Sequence, residues 1–179
     1  MVYLFLADGF EEIEALTPVD VLRRAGVELK TVSLRKDGFA RGSHGIEVKA
    51  DTTVYDVEIK DVEMIILPGG MPGADNLDKN GKVDEFINAA KEKDAYICAI
   101  CAAPMILGKR GLTKNKKATC FPGFEKFLSG AEYTANGVER DGKIITAKGM
   151  GKAMDFALML LEALKGKEIA KKTGESFFA

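Results

Sequence analysis

Three short apolar runs, Val2 to Ala7 (VYLFLA), Val62 to Leu67 (VEMIIL) and Ala95 to Ile100 (AYICAI), are almost free of polar residues. That is the pattern of central strands covered on both faces in a parallel sheet. Val27 to Leu34 (VELKTVSL) alternates apolar and polar residues instead and reads as a further strand. Helical stretches lie between these runs. Asp8 and Glu11 form an Asp-x-x-Glu pattern like a capping box, opening a helix to about Ala25, with Gly26 as its stop. Pro18 removes the bond to the Glu14 carbonyl, so a kink is expected there, one turn after Glu14. Further helices are expected from about Lys82 to Lys93, from Ala102 to Leu107, from Lys152 to Leu164 and from Lys167 to about Thr173. The Lys152–Leu164 segment is apolar nearly all round, which predicts a buried helix.

The connections carry turn chemistry. A polar, glycine-rich loop (RKDGFARGSHG) leads into Ile46 to Lys49, a short strand or hairpin arm, and Val62–Leu67 ends in Pro68-Gly69-Gly70 followed by Met71-Pro72-Gly73. Late in the chain, Ala118–Cys120, Tyr133–Ala135 and Val138–Arg140 read as short strands, with a small helix from Pro122-Gly123 through Leu128. Asp141-Gly142 is a hairpin turn into Ile144–Ala147. Phe177-Phe178 carries no assignment. Strands alternating with helices imply an α/β three-layer sandwich, a doubly wound mostly parallel sheet in one domain over residues 1–179. Its ligand crevice lies at the carboxyl ends of the strands. Three turns should converge there: Asp8 to Glu14, Pro68 to Gly73, and the bend at Cys101.

Composition narrows the function classes. The 26 basic and 27 acidic side chains nearly cancel, so no broad cationic surface points to nucleic acid, and the KNKK stretch at 114 to 117 reads as a solvated loop. A content of 46% hydrophobic and 30% charged residues is that of a soluble enzyme or binding module. No run reaches the about 20 apolar residues of a bilayer span, and Val2–Ala7 is too short for a signal sequence. Three cysteines are an odd count without framework spacing and suit a reducing compartment, so the expected location is cytoplasmic.

The candidate chemistry centres on Ala99-Ile100-Cys101-Ala102-Ala103, where a buried strand turns abruptly into a helix that carries Pro104 in its first turn. Small residues flanking a nucleophile at such a bend follow the spacing of the Gly-x-Ser-x-Gly elbow, with alanine in place of glycine. The turn would aim the sulfur out of the carboxyl edge beside free N–H groups of the helix start. If they lowered the thiol pKa from about 8.5 to about 6, most of the population would be thiolate at neutral pH. The other reading of Cys101 is a small buried hydrophobe. Cys98 completes a Cys-x-x-Cys but lies inside the strand, where it reads as core. Gly69 and Gly70 follow a strand and can present bare N–H groups to an oxyanion, as can Ala102.

With these residues in place, the chain resembles the ThiJ/PfpI family, most of all the branch of the parkinsonism-associated protein deglycase and its small bacterial homologues. The matching segments are Glu11-Glu12-Ile13-Glu14 with Pro18 to Gly26, Leu67-Pro68-Gly69-Gly70, Ala99 to Pro104, and Gly149 to Leu164. The resemblance implies a flavodoxin-like fold, akin to class I glutamine amidotransferases, and a homodimer. It implies cofactor-free action on methylglyoxal-type carbonyls or glycated proteins and nucleotides, with redox sensing or chaperoning as the alternative, and neither a metal nor a cofactor. Cys101 matches the reactive cysteine, Glu14 the carboxyl beside it, and Gly70 and Ala102 the backbone donors near the sulfur.

An ionised Glu14 would repel a thiolate, so the pairing favours one only if Glu14 is protonated and donates a hydrogen bond. By its position alone, Glu14 reads equally as a solvated acid at a helix start. One departure matters: some relatives carry a histidine near the cysteine, whereas Thr119-Cys120-Phe121-Pro122-Gly123 stands at the matching place. The only histidine, His44, lies in the glycine-rich loop and reads as a turn residue, which disfavours a Cys-His peptidase or amidase. Cys120 reads as a buried strand residue or, alternatively, a resolving thiol.

Overall fold

The computed structural model describes residues 1–178, and it is a sheet of seven strands with helices on both faces. In chain order the elements are β1 (Val2–Leu6), α1 (Glu12–Arg24), β2 (Leu29–Ser33), β3 (Phe39–Arg41), β4 (Glu47–Lys49), β5 (Thr52–Thr53) and β6 (Met64–Leu67). There follow α2 (Gly73–Asp78), α3 (Gly81–Glu92), β7 (Tyr96–Ile100), α4 (Pro104–Lys109), β8 (Lys117–Ala118), β9 (Glu132–Tyr133), β10 (Val138–Asp141), β11 (Ile144–Ala147), α5 (Ala153–Lys165) and α6 (Lys167–Glu175). The strand order is β10-β11-β7-β6-β1-β2-β5, parallel throughout except for the β10–β11 hairpin. β3 and β4 form a separate antiparallel pair, and β8 and β9 a short parallel one.

The apolar runs are explained by two-sided burial. In β1, Val2, Leu4 and Leu6 enter the core beneath α1 and α5, while Tyr3 and Phe5 enter the opposite core beneath α3 and α4. In β7, Cys98 and Ile100 face the first core, Ile97 and Ala99 the second. Neither side of these strands meets water, so the period of two is filled by apolar residues at every position. Cys98 is core, as expected.

The chain winds outward from β1 to β2 and β5, then returns past β1 to β6, β7 and β11. The order therefore reverses between β1 and β6, and a doubly wound sheet opens its crevice at such a switch point. The turn after β1 and the turn after β6 are stitched together there. Glu11 N–H donates to Gly69 O at 3.0 Å, Gly73 N–H to Gly9 O at 3.2 Å, and a Cβ on Gly70 would lie 2.5 Å from Gly9 O. Gly70 also sits at φ +84°, a left-handed conformation that glycine adopts without strain.

Several local expectations need correction. No capping box forms at Asp8: α1 starts at Glu12 with Glu11 as an extended N-cap, and the Asp8 carboxylate accepts the Arg41 N–H at 2.8 Å. α1 continues unbroken through Pro18, and Gly26, at φ +68°, ends it as expected. The helix after the elbow starts at Pro104, so Cys101 to Ala103 form a separate turn. The Pro122–Leu128 stretch contains only a short 3-10 turn at Glu125–Phe127. α5 is not buried all round. Leu160 and Leu161 are fully enclosed, but Met154 is 43% exposed. α2 and β5 fall where the sequence predicts no element, and β3 lies within the stretch expected to be a loop, where it pairs with β4. Among the described residues no helix is long and apolar enough to cross a membrane.

Candidate active site

Cys101 follows directly on β7, with its backbone at φ +65°, a left-handed conformation that costs a side-chain-bearing residue on the order of 1–3 kcal/mol. The surrounding bonds hold it there: Cys101 N–H donates to Ala147 O at 2.9 Å, and Cys101 O accepts the Phe121 N–H at 2.8 Å. The chain thus leaves the sheet sharply at the sulfur, and the residue is half-buried while its flanks Ile100 and Ala102 are enclosed. The Gly70 and Ala102 N–H groups act to favour the charged form of the thiol.

Glu14 comes from α1, whose first turn lies over the β6 exit. Its side chain is 1% exposed and accepts the Gly69 N–H on Oε2 at 3.0 Å, which sets the carboxyl beside Cys101. Gly69 is wedged between the two groups. A Cβ there would lie 2.6 Å from both Cys101 Cβ and Glu14 Oε2.

Burial pushes the Glu14 carboxyl up to about 7, against the hydrogen bonds from Cys101 and Gly69. Burial, then the Glu14 charge and hydrogen bond, push the Cys101 thiol up to about 12, although the Gly70 and Ala102 N–H groups pull it down. Amide donors and a helix start do not by themselves give this thiol a pKa near 6. Two negative charges in contact inside protein repel too strongly to coexist near neutrality. The pair therefore carries a single negative charge near neutrality, and the position of the remaining proton, on sulfur or on the carboxyl, sets the reactivity of the thiol. Sulfur faces two N–H donors and the carboxyl one.

The structure therefore brings together Cys101, Glu14, Gly70 and Ala102. Cys120 is enclosed with Ala118 and Leu128, one residue before the Phe121 N–H that donates to Cys101 O, and all three thiols are unbonded. Beside the elbow, Phe121, Pro122 and the Lys148–Lys152 turn line an open, mainly apolar recess of about 360 Å³.

His44 is not near the sulfur. Its Nδ1 lies 3.0 Å from Glu12 Oε2 and 3.6 Å from Glu11 Oε2. Burial favours the neutral form of Glu12, but the His44 imidazole and the His44 and Ile46 N–H groups outweigh it and hold the carboxyl well below its ordinary range. A separation of 32 residues between Glu12 and His44, one on a helix and the other in a loop, left no periodic signal of this contact.

The sequence matches the family model described as the DJ-1/PfpI family over residues 1–163. It is 40% identical over 168 residues to Protein DJ-1 homolog B of Arabidopsis thaliana, an alignment covering 92% of this chain and 38% of that protein. The chain thus spans about two fifths of the length of that relative. It is 33% identical over 171 residues to the Parkinson disease protein 7 homolog of Danio rerio, covering 93% of this chain and 90% of that one. The solved structure of oxidized Toxoplasma gondii DJ-1 superposes with a TM-score of 0.94 at 35% identity, covering 99% of this chain and 97% of that one.

Proposed function

The chain belongs to the DJ-1/PfpI family, and on that premise we propose that it is a cysteine-dependent, cofactor-free enzyme of the glyoxalase or deglycase type, acting on small 2-oxoaldehydes or glycated groups as a soluble homodimer. The observation that carries this reading is a half-exposed thiol, held at an elbow, beside a nearly enclosed carboxyl that is fixed by the Gly69 N–H. In the singly charged pair, the tautomer with the proton on Glu14 and the charge on Cys101 is the reactive one.

For a methylglyoxal-like substrate, the Cys101 thiolate attacks the aldehyde carbon. A C–S bond forms, the carbonyl pair moves to oxygen, the Gly70 and Ala102 N–H groups hold that oxygen, and Glu14 donates its proton to it. The resulting Glu14 carboxylate then takes the hydrogen of the former aldehyde carbon as a proton. The electron pair moves onto the neighbouring carbonyl oxygen to give an enediolate, the hydroxyl proton passes to that oxygen as the C–O double bond re-forms beside sulfur, and Glu14 returns the carbon-bound proton to the neighbouring carbon, leaving a thioester. Water hydrolyses the thioester to a 2-hydroxy acid and restores the thiol. Water is the only co-reactant, and no net oxidant is consumed.

Purified protein incubated with methylglyoxal, without glutathione, should form lactate, and Cys101→Ser should abolish it. Absence of lactate from the wild type, or its persistence in the variant, removes the enzymatic reading. The half-exposed sulfur also supports a second reading, in which peroxide oxygenates Cys101 to a sulfenic or sulfinic acid that changes binding without turnover. Mass spectrometry after mild peroxide, beside the lactate assay, separates the two.

A further inference from the structure

We propose that Glu11, Glu12 and His44 form a binding site for a divalent transition-metal ion, with Zn2+ as the representative. The ligand atoms are Oε2 of each glutamate and Nδ1 of the imidazole, with an oxygen of Ser43 or of water completing the shell. All three lie within 4.8 Å of one another, and Nδ1 is 3.0 and 3.6 Å from the two carboxylate oxygens. A tetrahedral zinc ion with bonds of about 2.0–2.1 Å sets its ligand atoms roughly 3.3 Å apart, which the two separations from Nδ1 bracket.

The cluster is built rather than superficial. Glu12 is 6% exposed, and its Oε1 accepts the His44 backbone N–H at 2.8 Å, which fixes the carboxylate beneath the imidazole. Gly42 lies so tightly against that carboxylate that a Cβ would overlap it. The second carboxylate is held by Ser43, whose Oγ lies 3.1 Å from Glu11 Oε2, 3.3 Å from Glu12 Oε2 and 3.1 Å from His44 Nδ1. Ser43 and Nδ1 can supply at most one proton each to these contacts, while the two carboxylates offer only lone pairs. An ion among these atoms would satisfy those lone pairs, and Ser43 Oγ, at 3.1–3.3 Å from all three ligand atoms, stands where a fourth oxygen of the shell would sit. The imidazole selects a transition ion over Ca2+ or Mg2+, which take larger all-oxygen shells.

His44 is the chain's only histidine, so its ring proton resonances are assigned without ambiguity. Titrating the full chain with ZnCl2 should shift them saturably at one equivalent. Cys101→Ser should leave the shift intact, whereas His44→Ala and Glu12→Gln should each weaken Zn2+ binding by tenfold or more in calorimetry. Co2+ should give only weak visible bands. Unmoved ring signals, unchanged affinity in His44→Ala, or an intense sulfur-to-cobalt band that marks binding at Cys101 would each overturn the proposal. The proposed ligands do not include the Cys101 thiol or the Glu14 carboxyl, so failure of the metal site leaves the proposed chemistry of those two groups standing.

Discussion

A methyl group on Gly69 would lie 2.6 Å from both Cys101 Cβ and Glu14 Oε2, and neither neighbour can move away without losing the other. Overpacking of this kind costs about 1–3 kcal/mol. Gly69→Ala is therefore expected to lower Tm by roughly 2–12 °C for a chain of this size and to reduce lactate formation more than tenfold. A variant with wild-type melting and turnover would mean that the contact has slack. Cys101 was legible in the sequence because an elbow leaves a local signature, small residues around a nucleophile after an apolar run. Glu14 was not legible from its position, since a first-turn glutamate reads as solvated, and only the family resemblance singled it out. The Glu12–His44 contact joins a helix to a loop with no pattern of its own, so His44 read only as a turn residue.

At the scale of elements, Arg110 joins α2, α3 and α4. Its Nε donates to Asp84 Oδ1 at 2.7 Å, one terminal nitrogen to Asp78 Oδ1 at 2.6 Å, and the other to Asp78 O at 2.9 Å, while Lys109 reaches Asp78 Oδ2 at 2.5 Å. Burial raises the Asp78 pKa, but the hydrogen bonds from Arg110 and Lys109 outweigh it and hold the carboxyl below its ordinary range. A group with a depressed folded-state pKa adds stability above its unfolded value, and that contribution is lost as pH falls through the folded one. Asp78→Asn should thus cost on the order of 1–3 kcal/mol at pH 7. The gap to wild type in urea unfolding should close as pH drops below about 4, and a gap independent of pH would contradict this account.

The central strands and long helices were legible because two-sided burial and helical periodicity repeat over several residues. α2 and β5 were missed because six- and two-residue elements owe their form to tertiary contacts. The Asp8–Glu11 capping box failed for a similar reason: the Asp8 carboxylate is taken by Arg41, a partner from another element.

At the scale of the molecule, the reversal of strand order between β1 and β6 draws the loops after β1 and β6 together, and the β7 elbow lies against them at Gly69. The alternation of strands and helices was enough to read that convergence from sequence, whereas the surface joining two copies has no such signature. If the protein is a homodimer, sedimentation should report two copies, and Tm should rise with protein concentration because association stabilises the folded chain by mass action. A concentration-independent Tm with a monomeric mass would remove the dimer.

The central claim, that Cys101 and Glu14 share one proton near neutrality with charge available on sulfur, is tested most directly by the pH dependence of Cys101 alkylation. With the remaining proton on Glu14, the wild-type thiol should alkylate in a step near neutrality that belongs to the pair and lies well below the value a lone buried thiol would show, and Glu14→Leu should move that step upward, because the thiol then ionises without a neutral acid to hold its charge. If the wild-type thiol stays unreactive until far above neutrality, and Glu14→Leu moves its ionisation downward by removing a repelling carboxylate, the charge resides on Glu14 and the account is wrong.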